Sequence, residues 1–172
     1  MSQLVMPKVD NFTLSKRDTY VSDLKKILKN SENVLSHQDE IRPYETDALT
    51  AYREMPMVVV LPENVEEVSK ILKYCNENKI KVVPRGAGTG LSGGSLPLKD
   101  CVLISMSKFN KIIDIDYFNR CVTSQPCVTN LAITQAVQEN GFYYAPDPSS
   151  QMACSIGGNV AENSGGVHSL KY

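Results

Sequence analysis

The spacing of hydrophobic positions changes several times along the chain, and each change predicts an element. Val21, Leu24, Ile27 and Leu28 recur at helical spacing, with Lys25, Lys26 and Lys29 toward solvent and the C-terminal end. Residues 1–18 before them show no clear period, and residues 31–54 after them are polar and irregular. The run MVVVLP at 57–62 is β-branched and closed by a proline, which predicts a buried strand. Asn64, with Glu67 three residues on, has the form of a capped helix start. Val65, Val68, Ile71, Leu72 and Cys75 then supply the helical stripe, and residues 80–83 read as a second strand. Two strands of similar apolar character around one helix predict a right-handed parallel crossover.

Further on, CVLISM at 101–106 predicts a third strand. The β-rich runs on either side of residues 117–120 predict a hairpin with Ile113, Ile115 and Val122 inward. Thr129 or Asn130 is placed to cap a helix through Glu139, with Gly141 at its stop. Beyond that, YYAPDPSSQMACSIGGNVAENSGG reads as loops.

Length and composition narrow the function. A chain of 172 residues suffices for one domain or two small lobes. A net charge of −1 gives no electrostatic support for a nucleic-acid or anionic-membrane role. No stretch approaches the roughly 18 apolar residues of a membrane helix. The start, MSQLVMPKVDNF, lacks the long apolar region of a signal peptide. The five cysteines are odd in number, widely spaced and mostly within apolar runs, as expected of reduced thiols in a cytoplasmic protein. Cys121 and Cys127 are near each other, but without a second pair or a nearby histidine no metal site is expected.

Glycine placement is the strongest chemical signal. Gly86, Gly88, Gly90, Gly93 and Gly94 form one cluster, in VPRGAGTGLSGG, and Gly157, Gly158, Gly165 and Gly166 form another. Backbone without side chains lets successive N–H groups converge on an anion. The first cluster follows a strand, and Arg85 is its only charge, so a phosphate-binding loop is the leading reading, against a glycine-rich turn with no ligand. No Lys-Ser or Lys-Thr follows, which excludes a P-loop, and the spacing around Gly86, Gly88 and Leu91 breaks the dinucleotide fingerprint. The second cluster adds Ser155, Asn159, Asn163 and Ser164, whose hydroxyls and amides suit a polar heterocycle or sugar chain; the alternative is a turn-rich connection. Pro146 and Pro148 would stiffen the preceding loop.

The segments AYREMPMVVVLP, RGAGTGLSGGSLPL and APDPSSQMACSIGGNVAENSGGVHSLKY closely resemble the flavin subunits of bacterial glycolate oxidases. These are vanillyl-alcohol-oxidase-type flavoproteins related to D-lactate and D-2-hydroxyglutarate dehydrogenases, and the likeness runs from about residue 44 to 172. It implies an α+β, two-lobed FAD-binding domain, with an N-terminal extension over 1–54, a first lobe over 55–110 and a truncated second lobe over 111–172. It also implies that Arg85, Gly86, Ala87, Gly88, Thr89 and Gly90 cradle the FAD pyrophosphate. By the same resemblance Pro146, Asp147, Pro148, Ser149, Ile156, Gly157, Gly158, Asn159, Asn163, Gly165 and Gly166 line the flavin and ribityl regions. Some relatives attach FAD through a histidine in the first loop; residues 84–95 contain none, so dissociable FAD is expected.

The implied reaction is oxidation of a 2-hydroxy acid with hydride transfer to the flavin, in a protein that pairs with an iron–sulfur subunit and is cytoplasmic or peripheral to the membrane through partners. The chain departs from the pattern at Cys127, where relatives carry a glycine, and it lacks the region matching their substrate domain. It is therefore expected not to turn over substrate alone, and to expose unpaired strand edges. No residue is assigned as the catalytic base: His37 is expected at the surface, His168 is a candidate flavin-edge contact, and Asp147 is either a cofactor contact or the centre of an Asx turn. The alternatives are a non-catalytic nucleotide-binding or interaction module and, less well supported, a reductase of cell-wall precursor synthesis on the same scaffold.

Overall fold

A computed structural model describes residues 7–171; residues 1–6 of the unpatterned N-terminal stretch, and Tyr172 at the end of the last motif, lie outside the described residues. The chain divides into two units. The first contains the described residues up to Thr46, Thr50–Val83 and Leu96–Ile104; the second contains Asp47–Leu49, Pro84–Ser95 and the described residues from Ser105 onward.

In the first unit, α1 (Asn11–Ser15) starts where Asp10 accepts a hydrogen bond from Phe12 N, and α2 (Arg17–Ile27) follows directly. Helix α2 begins ahead of the apolar stripe, at Arg17, whose guanidinium donates to the Met57 and Ser36 carbonyls; Tyr20 and Leu24 are its buried residues. The irregular region holds a two-residue strand β1 (Val34–Leu35) and a short helix α3 (Gln38–Ile41), whose Glu40 carboxylate accepts from the Ser36 and His37 amides. His37 is exposed.

Strand β2 (Val58–Val60) is fully buried, and α4 (Val65–Glu77) follows it. Asn64 accepts from Glu67 N at 2.9 Å, as its spacing predicts. The Glu67 carboxylate is buried and accepts from the Glu63 and Lys29 amides, joining the helix start to the end of α2. The buried face of α4 is carried by Glu67, Ile71 and Cys75, whereas Val65 is 74% and Leu72 47% exposed, so the apolar stripe is narrower than its sequence suggests.

Strands β3 (Lys81–Arg85) and β4 (Cys101–Ser105) complete a sheet of order β1-β2-β4-β3. The β2-α4-β3 unit does not join neighbouring strands: β2 pairs in parallel with β4, Val59 opposite Leu103, and β3 lies beyond β4. The reason is chemical. All five residues of β4 are buried, as suits an interior strand. β3 is only partly buried and contains Pro84, which has no N–H to donate and is tolerated at an edge. Ile41, Val59 and Leu103 form a core cluster against which Leu35, Tyr44, Met55 and Leu61 pack.

Asp100 is a buried carboxylate at the start of β4, 2% exposed, accepting from Lys81 Nζ at 2.7 Å and Asp10 N at 2.7 Å. Burial alone would raise its pKa, but the Lys81 ammonium and the Asp10 amide outweigh it and hold the carboxyl below its ordinary value. A group whose pKa is depressed by folding contributes stability above its unfolded pKa of about 3.9, and that stability is lost as pH falls through the lower folded value. We therefore expect acid unfolding followed by circular dichroism to show a limb below about pH 4 that is weakened in Asp100→Asn.

In the second unit, β5 (Ile112–Asp116) and β6 (Cys121–Ser124) form the antiparallel hairpin that the sequence predicts. Ile115 and Val122 face each other and are partly buried, but Ile113 is 65% exposed. The register shifts between Ile112 and Asp114, so one extra residue sits in a bulge and turns Ile113 outward. Helix α5 (Asn130–Val137) is capped by Thr129, whose Oγ1 accepts from Ala132 N. A 3₁₀ turn then ends at Gly141, φ 76°.

The segment read as loops contains a further helix, α6 (Ile156–Glu162), with Ser155 at its N-cap and Asn163 in the left-handed conformation at its end. Two consecutive glycines disfavour a helix by propensity, and the contacts described next override that preference. Cys127 is not among the positive-φ residues, so a side chain where relatives carry a glycine brings no left-handed backbone strain there. Its amide donates to Phe109 O at 2.7 Å.

Candidate functional site

Within the second unit, the glycine loop and α6 enclose a cavity of about 280 Å³. Its geometry follows from the absence of side chains. A methyl group on Gly86 would strike Ser155 Oγ, the atom that caps α6 by accepting from Gly158 N. One on Gly157 would lie 2.7 Å from Pro126 Cβ and 3.0 Å from Pro126 O, the carbonyl to which Gly157 N donates at 2.8 Å. Glycine at 157 thus lets α6 sit against the 126 turn, and glycine at 86 lets the loop approach the helix cap.

The loop is braced from within. Gly88 has φ 73°, and a Cβ there would run into the Arg85 guanidinium, which folds beneath the loop and reaches toward Ser95 O at 3.4 Å. At the strand end, Met106 N donates to Arg85 O at 2.9 Å. Among the described residues, the backbone N–H groups of residues 86–95 donate no hydrogen bond to the protein. A row of free amides beside a cavity that added side chains would fill is a cradle suited to an anion's oxygens.

The cavity wall brings together Arg85, Gly86, Ala87, Gly88, Thr89 and Gly90 with Gly157, Gly158 and Asn159 from α6. Other site candidates lie elsewhere in the unit. Pro146 O accepts from Asn130 Nδ2 at 2.9 Å, and Pro148 O accepts from Gln151 N in the turn that holds exposed Ser149. Asp147 pairs by a bridge with Gly166 and donates its N–H to Gly165 O at 3.2 Å. Its Oδ1 is 3.0 Å from His168 Nδ1. Gly166 has φ 72° and is packed so closely on the Asp147 backbone that no side chain fits. Asn163 ends α6, and Ile156 lines a separate, mostly apolar cavity of about 740 Å³ with Val122, Phe142, Tyr144 and Val160.

Several wall residues were not singled out from the sequence, among them Pro126, Ser150 and Glu162, and Ser155 was noted only as a polar group. For Ser155 the signal existed: a serine immediately before Ile156 is a helix start, hidden by the glycines that follow. Glu162 had no such signal. Its carboxylate accepts from Ser92 Oγ at 2.6 Å and lies over Gly90 and Gly94. Asn130 and Asn159, both buried, are joined at 2.5 Å and fix α6 to α5. Among the described residues no cluster of three or more metal-ligating side chains occurs, and no helix is long and apolar enough to cross a membrane.

This α+β architecture is the FAD-binding fold of the vanillyl-alcohol-oxidase type. It superimposes on an alkyldihydroxyacetonephosphate synthase with a TM-score of 0.77 at 21% identity, over 99% of this chain and 32% of that one. The FAD binding domain family matches residues 56–172, and the chain belongs to that family. It is 58% identical over 139 residues to the glycolate oxidase subunit GlcD of Escherichia coli (strain K12), covering 81% of this chain and 28% of that protein. It is 41% identical over 136 residues to a D-lactate dehydrogenase of Anaerostipes hadrus, covering 78% of this chain and 28% of that protein. The chain thus spans less than a third of the length of these relatives.

Proposed function

We propose that the cavity between the glycine loop and α6 holds the diphosphate of FAD, and that the chain is the cofactor-holding part of a longer oxidoreductase acting on 2-hydroxy acids such as glycolate or D-lactate. The observation that carries this is the row of free amides over residues 86–95, backed by Gly86, Gly88 and Gly94, where an added Cβ would strike Ser155, Arg85 or Glu162. The residues fit the group: neutral N–H donors for phosphate oxygens, Arg85 bracing their loop, and amide and hydroxyl groups at Asn159 and Ser155 nearby.

Bound FAD supplies a hydride acceptor for the substrate's α-hydrogen. The chain's own residues bind and orient. Amides of residues 86–90 hold the diphosphate, and Gly157, Gly158 and Asn159 shape the opposite wall. Pro146, Asp147, Pro148 and Ser149, tied to Gly165 and Gly166, form a stiff rim toward the ring system. His168 lies beside Asp147 and is assigned no proton transfer; the base and the substrate contacts are assigned to the rest of the longer protein. With no histidine in residues 84–95, FAD is held without a covalent bond. GlcD is by name a subunit; an iron–sulfur partner, and a cytoplasmic place that is peripheral to the membrane through such partners, belong to the same reading.

Adding FAD to the purified chain should quench flavin fluorescence, and the two should co-elute on gel filtration. Denaturation should release all the flavin as free FAD. A protein that stays colourless and quenches nothing would overturn the proposal and favour an interaction module.

A further inference from the structure

We infer that Glu162 sets the charge of the phosphate group this cavity accepts, favouring an internal diphosphate diester over a terminal phosphate. This rests on the reading of the cavity as a diphosphate site. Among the described residues, Arg85 and Glu162 are the only charged side chains in the cavity wall, so their formal charges cancel and the remaining donors are neutral. Arg85 is turned under Gly88 and toward Ser95 O. Glu162 is anchored over the far end of the loop by Ser92 Oγ, its Oε1 3.6 Å from where a Cβ on Gly90 would stand.

A phosphate inside a diester chain carries a single negative charge, whereas a terminal phosphate carries about −1.5 to −2 at pH 7. The neutral amides can solvate either. The extra charge meets the carboxylate with no second cation to offset it. Glu162 is exposed, so solvent and salt screen the repulsion, and the expected discrimination is about two- to fivefold.

The test uses two flavin-free probes, ADP and diadenosine diphosphate, titrated calorimetrically into the chain and into Glu162→Gln, which keeps the side chain's shape and an acceptor for Ser92. Each ligand is compared with itself across the two proteins, so the second adenosine cancels. ADP affinity should rise about two- to fivefold in the variant while the diester changes less, and the difference should shrink in high salt. An unchanged ratio overturns the inference. So does a ratio altered because the diester binds more weakly, since Glu162 would then be a ligand contact. FAD titrated in parallel isolates the flavin reading: refusal of FAD beside a Glu162-dependent ADP preference rejects the flavin and keeps the charge rule. If neither probe binds either protein, the diphosphate site and the charge rule both fall.

Discussion

Gly88→Ala is expected to lower FAD affinity about tenfold or more. Two costs combine. The left-handed backbone at φ 73° costs a residue with a Cβ about 1–2 kcal/mol. The methyl also displaces the Arg85 guanidinium from beneath the loop. The unliganded loop can relax away from both, because its amides make no bonds within the protein. Binding must restore the cradle, so the strain falls on the bound state, where about 1.4 kcal/mol is tenfold in affinity.

Gly141→Ala is the control. Its φ of 76° is nearly the same, but nothing lies within 4 Å of the added carbon. It should reduce thermal stability by about 1 kcal/mol and leave FAD affinity unchanged. Equal losses of affinity in the two variants would mean that the loop geometry at residue 88 is not what holds the cofactor. Arg85→Ala combined with Gly88→Ala should recover part of the loss if the guanidinium is the obstacle, and none if the backbone alone is responsible.

These glycines also explain where sequence reading worked and where it stopped. β2 and β4 were legible because runs of β-branched and apolar residues buried on both faces leave few alternatives, and α4 because Asn64 sits at its start. The order of the sheet was not, since two apolar runs joined by a helix do not reveal that a later run, 101–105, will take the interior position; Pro84 in β3 was the available hint. Ile113 was misplaced by a bulge that leaves no mark on an alternating pattern. α6 was missed for a different reason. Gly157 and Gly158 weaken a helix locally, and what retains them is contact with Pro126 and Ser155, which are distant or turned away in the linear pattern. Of the cavity wall, residues 85–90 were legible because their place there depends on missing side chains, and Glu162 was not because its place depends on folding.

Asn130→Ala is expected to cost about 3 kcal/mol, the largest stability loss predicted for the second unit. The side chain is 1% exposed and works in both directions: Nδ2 donates to Pro146 O at 2.9 Å, and Oδ1 accepts from Asn159 Nδ2 at 2.5 Å. Asn159 Nδ2 otherwise meets only Cys154 Sγ, at 3.5 Å. Truncation therefore strands a carbonyl and an amide in the interior, each worth about 1–3 kcal/mol, and leaves a void. It also frees α6 from α5 at the point where their caps meet, since Thr129 and Ser155 form a bridge and Ile156 N donates to Val128 O at 2.8 Å. The melting temperature should fall by roughly 6–12 °C. FAD affinity should fall with it, because Asn159 and Gly158 lose their fixed position against the glycine loop. Asn130→Asp separates the two bonds. Its carboxylate still accepts from Asn159 but cannot donate to Pro146 O unless protonated, and burial favours the protonated form. Its folded pKa is thus raised above the unfolded value, so the variant should be destabilised at neutral pH and regain stability as pH falls. A pH-independent defect would show that the Pro146 carbonyl does not need the Asn130 proton, and that the rim is held by the Asp147 bridge to Gly166 instead.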